Sequence, residues 1–165
     1  AGMSFVDFAH LKERNIKNGI LDYNRQKTGT PMRLEILDTA ELMRKELMGD
    51  KKPASGYLFP FLSGTKTGYE AYLEYNAALS RFNRNLKALK KAAGIASDVT
   101  SYTIRHSFAM ALKEQNVPIE MISELLGHKS IKTTQIYLRS FSLEKMTVVN
   151  KSCFENVYNY MPEVG

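Results

Sequence analysis

A mostly α-helical α+β domain, with a small antiparallel β-hairpin or sheet packed on a helical bundle, is what these 165 residues predict. Three observations carry that reading. Two short alternating runs flank a turn-forming pentapeptide early in the chain. Residues 69–93 repeat their apolar positions every 3.6 residues, and the C-terminal half is punctuated by helix caps and stops. The length suits one domain, residues 1–165, with a real hydrophobic core.

Taken in order, Ser4-Phe5-Val6-Asp7 has the form of a capping box, and Phe5, Phe8, Ala9 and Leu11 give an apolar face. A short helix is predicted over residues 5–14. Ile20-Leu21-Asp22-Tyr23-Asn24-Arg25-Gln26 and Met32-Arg33-Leu34-Glu35-Ile36 alternate as strands do, and Lys27-Thr28-Gly29-Thr30-Pro31 turns between them. Asp38 or Thr39 caps a helix that Gly49 stops. Residues 49–68 read as an ordered loop around Tyr57, Leu58, Phe59 and Phe61. On the long helix, Tyr75, Leu79, Phe82, Leu86, Leu89 and Ala93 share one narrow face. Thr100 or Ser101 caps a helix to about residue 115; Pro118 opens the next at its first turn and Gly127 closes it. Ser130 caps a helix holding Tyr137, and one more helix starts at Ser142.

Composition narrows the partners. Lys and Arg exceed Asp and Glu by 23 − 17 = 6, a moderate bias toward polyanions. Arg81, Arg84, Lys87, Lys90 and Lys91 lie on the polar side of the long helix; such a flank is either a solvated surface or a contact for DNA backbone. No apolar run reaches the roughly 18–20 residues of a membrane span, and no signal peptide heads the chain. Cys153 stands alone, so a reducing, cytoplasmic setting fits. The three histidines lack metal-ligand spacing.

The chemistry concentrates in Tyr102-Thr103-Ile104-Arg105-His106-Ser107-Phe108-Ala109, then Leu125-Leu126-Gly127-His128, then Tyr137. Arg105, His128 and Tyr137 stand 23 and 9 residues apart on successive short helices. An arginine fork can neutralise phosphate oxygens, a histidine can donate or position a proton, and a tyrosine hydroxyl can attack a phosphodiester. Each has an ordinary alternative: a surface arginine, a histidine on terminal helix carbonyls, a half-buried core tyrosine among nine.

At these residues the chain resembles the tyrosine recombinases, also called the phage integrase family. Their C-terminal box reads roughly His-x-x-Arg-His-[Ser/Thr]-Phe-Ala, then Leu-Gly-His, then Tyr nine residues on. The resemblance implies that Tyr137 is the nucleophile and that Arg105 clamps the phosphate. It implies that His128 hydrogen-bonds the phosphate, while neighbouring His106 buttresses the fold. Lys27, in the hairpin turn, falls where the family carries a lysine that protonates the departing 5′-hydroxyl. The basic flank then reads as DNA-binding, through Arg81, Arg84, Lys87 and Lys91. The implied partner is double-stranded DNA, on which protomers assemble and exchange a tail, here residues 141–165. No metal or other cofactor is implied, since bond energy is kept in the phosphotyrosine.

Two departures stand out. Tyr102 replaces the family's first histidine; it can hydrogen-bond a phosphate but cannot become a cation. The family's first arginine, in Gly-x-Arg-x-[Ser/Gly]-[Glu/Asp]-Leu, aligns with Ser4, or one turn earlier with Ala1. The expectation is therefore a catalytic domain without the N-terminal DNA-clamping domain, with little or no cleavage of its own. Rivals are a type IB topoisomerase-like enzyme and an inert DNA-binding module that kept the fold.

Overall fold

The computed structural model describes residues 2–48, 56–138, 146–148 and 151. The order of elements is α1 (Phe5–Ala9), β1 (Ile16–Lys17), β2 (Ile20–Asn24), β3 (Pro31–Glu35), α2 (Asp38–Met48), α3 (Gly68–Ala92), α4 (Ser101–Glu114), α5 (Ile119–Leu126) and α6 (Ile131–Tyr137). The expected α+β architecture is present: a three-stranded antiparallel sheet in the order β1-β2-β3, accompanied by helices. None of the described helices is long and apolar enough to cross a membrane.

Two features differ from the sequence reading near the N-terminus. The opening helix stops at Ala9, well short of residue 14. Beyond it the chain turns outward: Leu58 N–H donates to the Leu11 carbonyl at 2.6 Å and Lys12 bridges Tyr57. A strand, β1, then joins the predicted hairpin through Asn18 (φ 50°) and Gly19 (φ 74°), with Lys17 facing Ile20. Two positive φ angles at Asn-Gly give the type I′ hairpin turn, whose twist matches the strands. The capping box is also absent. Ser4 Oγ donates to the Asp7 carboxylate at 2.5 Å, so that carboxylate faces inward rather than capping Ser4.

Packing follows three apolar clusters among the described residues. Phe5, Ala9, Leu62 and Ala78 join α1 to α3, with Phe5 against the Phe82 ring at 4.8 Å and the Phe61 ring at 5.2 Å. Leu11, Tyr23, Met32 and Leu58 seat the sheet, and Phe8 packs against both groups. Ala109, Ile122, Leu126 and Leu138 fasten α4, α5 and α6 together. Burying a side chain such as Ile122 or Leu126 contributes about 1.5–3 kcal/mol. The predicted stripe of α3 is used only in part: Tyr75, Leu79 and Phe82 pack, whereas Leu89 is 64% exposed and Ala93 is also exposed. The C-terminal turns of α3 therefore run past the core. Pro118 is the N-cap of α5 rather than a residue of its first turn. Residues 49–55 of the predicted loop lie outside the described residues. So does nearly all of the C-terminal segment, of which 146–148 and 151 are helical.

Candidate active site

The α4 helix begins at Thr100, whose hydroxyl accepts from Thr103 N–H at 3.1 Å, and Asn83 Oδ1 of α3 takes the Ser101 N–H at 2.9 Å. So fixed, α4 presents Tyr102, Arg105 and His106 on one face, three and four residues apart. Arg105 is 7% exposed. Its guanidinium donates to the Gly2 carbonyl at 2.6 Å and to the Leu126 carbonyl at 2.5 Å, and Nη2 lies 3.4 Å from His128 Nε2. Burial, followed by the nearby Arg25, lowers its pKa, yet a guanidinium stays charged throughout the working range.

His128 owes its place to Gly127, which ends α5 at φ 60°. Gly127 N–H donates to the Glu124 carbonyl at 2.8 Å and His128 N–H to the Ser123 carbonyl at 3.0 Å, the paired bonds of a Schellman stop. On the ring, Nδ1 lies 2.8 Å from Thr134 Oγ1, a hydroxyl of the fully buried Thr134 in α6. Burial first, then the cations Arg105, Arg25 and Lys27, push the imidazole down to about 4. At neutral pH the ring is uncharged.

Tyr137, the last residue of α6, stands among three rings. Its centroid is 5.0 Å from His106, 5.6 Å from Tyr102 and 5.9 Å from His128, all edge-to-face. Its hydroxyl is buried and makes no hydrogen bond of good geometry among the described residues, although the Tyr102 hydroxyl lies near enough to act on it as a hydrogen-bonding neighbour; His106 Nδ1 is buried and likewise without a well-formed bond. Burial raises the phenol to about 12, Tyr102 adds to the rise, and Arg105 offsets part of it. Tyr102 itself is 63% exposed and forms the rim over Tyr137.

Arg105, His128, Tyr137 and Tyr102 thus meet at one place, although they come from α4, from the residue just past the Gly127 stop of α5, and from α6. Lys27 is exposed in the β2–β3 turn, close enough for its charge to depress His128. Arg81, Arg84, Lys87 and Lys91 are exposed along α3, on the side away from its packed face. Lys90, from the same flank, pairs with Asp98 at 3.1 Å. Ser4 is bound to Asp7 and offers no cation, and Ala1 lies outside the described residues.

Sequence reasoning missed Asp7 and Arg25, which are 2% and 7% exposed. Arg25 Nε donates to Asp7 Oδ2 at 3.1 Å, Arg25 Nη1 to the Gly127 carbonyl at 2.9 Å, and Gln26 N–H to Asp7 Oδ1 at 2.7 Å. The available signal was the acidic position of the Gly-x-Arg-x-[Ser/Gly]-[Glu/Asp]-Leu pattern, which falls on Asp7.

Known proteins resemble this chain in sequence and in fold. The description "Phage integrase family" matches residues 2–144. Tyrosine recombinase XerD of Lacticaseibacillus casei is 44% identical over 69 residues, 42% of this chain and 24% of that protein. Tyrosine recombinase XerC of Rickettsia canadensis (strain McKiel) is 41% identical over 73 residues, 44% and 24% respectively. The chain therefore matches about a quarter of the length of these curated relatives. In fold, the crystal structure of XerA recombinase superposes with a TM-score of 0.66 at 24% identity, covering 90% of this chain and 53% of that one. The Tn1549 transposon integrase in complex with a circular intermediate DNA gives 0.63 at 16% identity, over 92% and 55%. With the family match running across residues 2–144 and these tyrosine recombinases sharing both sequence and fold, the chain belongs to the phage integrase family.

Proposed function

We propose that this chain is the catalytic domain of a site-specific DNA recombinase that cuts and rejoins strands through a 3′-phosphotyrosyl link. The observation that carries the reading is the meeting of Arg105, His128 and Tyr137, with Nη2 to Nε2 at 3.4 Å and the two rings at 5.9 Å. The scissile phosphate replaces the Gly2 and Leu126 carbonyls on the Arg105 fork, exchanging neutral acceptors for charged ones. In the tautomer with Thr134 donating to Nδ1, neutral His128 carries its proton on Nε2 and, once the phosphate has drawn Arg105 Nη2 off that nitrogen, offers it to a phosphate oxygen. Tyr137 Oη attacks phosphorus and loses its proton to solvent. The 5′-oxygen leaves with a proton from Lys27, and a second 5′-hydroxyl later reverses the step. Tyr102 adds a hydroxyl where the family has an imidazole.

The likeness to the Tn1549 integrase, solved in complex with a circular intermediate DNA, supports double-stranded DNA as the substrate, with the exposed Arg81, Arg84, Lys87 and Lys91 on its backbone. Exchange of residues 141–165 between protomers belongs to the same proposal. With Ser4 or Ala1 in place of the first arginine, cleavage by these 165 residues is expected to fall by on the order of 10²–10³, the usual loss for one preorganised donor.

A nicked duplex bearing the recombination site tests the mechanism, since the broken strand drifts away and traps the covalent intermediate. Peptide mapping of the intact protein should place the adduct on Tyr137, and Tyr137→Phe should abolish it while DNA binding persists. An adduct that survives in that variant moves the nucleophile elsewhere, with Tyr158 and Tyr160 next.

A further inference from the structure

We propose that Arg25 is a positioning residue that holds the Lys27 turn at a fixed distance from His128; the inference rests on the reading of Lys27 as proton donor. The Arg25 backbone frames that turn. Its N–H donates to the Thr30 carbonyl at 2.9 Å and its carbonyl accepts from Gly29 N–H at 2.8 Å, with Lys27 between. The side chain then leaves the turn and enters the protein. Nε donates to Asp7, and Nη1 to the Gly127 carbonyl at 2.9 Å, on the peptide that leads directly into His128. The alkyl stem also lies against Gly127, where an added Cβ would meet Arg25 Cδ at 2.5 Å.

One guanidinium therefore ties together two segments whose catalytic residues stand 128 − 27 = 101 positions apart. Asp7 anchors the strut twice, through the Arg25 side chain and the Gln26 N–H, so the turn is gripped on both sides of Arg25. The His128 side has further supports, the Schellman stop and Thr134. The turn closes on itself through bonds such as Thr28 Oγ1 to Thr30 Oγ1 at 2.8 Å, but it is held against the protein through Arg25 and Gln26, and Lys27 itself is exposed. Stability alone is a weak reason for a buried ion pair, because apolar replacement of both partners is often neutral or stabilising. Fixed geometry is the stronger reason: a reacting group displaced by about 1 Å loses on the order of 10² in rate.

In the step concerned, the Tyr137 Oη–P bond forms, the P–O5′ bond breaks, the phenol proton goes to solvent and the Lys27 proton goes to O5′. With sulfur in place of O5′ the leaving group departs as a thiolate and needs no proton. Single-turnover cleavage by the intact protein is therefore compared on two nicked duplexes of its own site, one with bridging oxygen and one with bridging sulfur. Arg25→Lys keeps the charge beside Asp7 but cannot also reach Gly127; Arg25→Met tests loss of the whole fork. Thermal melts and DNA binding are followed in both.

The expected result is a loss of roughly 10²-fold on oxygen for Arg25→Lys, shrinking to a few-fold on sulfur in parallel with Lys27→Ala. If Lys27→Ala is rescued by sulfur while Arg25→Lys is equally slow on both duplexes, or as fast as the parent on oxygen, the strut is wrong and the reading of Lys27 stands. If sulfur fails to rescue Lys27→Ala, the reading of Lys27 falls and the inference with it.

Discussion

At the scale of single residues, the proposed nucleophile is held in a state that disfavours its own chemistry. The Tyr137 hydroxyl is buried with only the nearby Tyr102 hydroxyl to approach it and no bond of good geometry, so little offsets the roughly 1–3 kcal/mol that an unsatisfied buried group costs. Tyr137→Phe should therefore leave the DNA-free fold as stable or more stable, by up to about 1 kcal/mol in chemical denaturation. A clear loss would mean that the hydroxyl is paired in solution. His128 sets a pH dependence of the opposite kind. Its folded pKa, about 4, lies below the usual value of 6.5, so between those limits the unfolded chain binds the extra proton. The contribution is complete above pH 6.5 and is lost as pH falls toward 4. Urea unfolding at pH 7, 5.5 and 4.5 should show this decline, and His128→Gln should flatten it relative to the parent. The grouping of Arg105, His128 and Tyr137 was legible in the sequence because their spacing is local and their neighbours are specific. Asp7 and Arg25 were not, since their meaning lies in contacts 18 and 102 residues apart in sequence.

At the scale of elements, legibility followed how much of the folding signal is local. The hairpin and the helix caps at Thr100 and Gly127 appear where turn and cap chemistry put them. The early stop of α1 is different: it depends on pairing with the segment at Tyr57 and Leu58, nearly fifty residues later. The exposure of Leu89 is likewise a fact about where the core ends, which no periodicity reveals. Strand β1 was written in the chain, in Asn18-Gly19, and was overlooked because the strand is only two residues long. Two glycines separate conformation from contact. Gly19 and Gly127 both hold positive φ, but a Cβ at Gly19 meets nothing within 4 Å, whereas at Gly127 it meets Arg25 Cδ and Met32 Sδ at 2.5 Å. Gly19→Ala should cost about 1 kcal/mol, the usual penalty of that backbone region. Gly127→Ala should cost about 2–4 kcal/mol, the excess coming from the crowded stem and thioether. Equal losses in urea titrations would show that Arg25 and Met32 swing aside freely.

Across the whole molecule, charge is divided between an outer face and an inner site. The outer face is the exposed row Arg81, Arg84, Lys87 and Lys91. If each meets a phosphate, replacing all four with glutamine should reduce the slope of log K against log salt by about 0.9 per lost contact. Fluorescence anisotropy on a non-specific duplex at several salt concentrations measures that slope, and an unchanged value would remove α3 from the interface. The inner site is a different matter. Burial first and then Arg25 lower the pKa of Arg105, burial first and then Arg105, Arg25 and Lys27 lower that of His128, and the one buried carboxylate among the described residues is Asp7. On the proposed reading, a DNA phosphate entering the site relieves repulsion among these cations, of which Asp7 is ion-paired with Arg25. Part of the drive to bind then lies in the protein before any contact with a base is made. That store does not depend on sequence: any backbone phosphate releases it equally, and the ability to tell one DNA site from another has to come from surfaces outside this cluster.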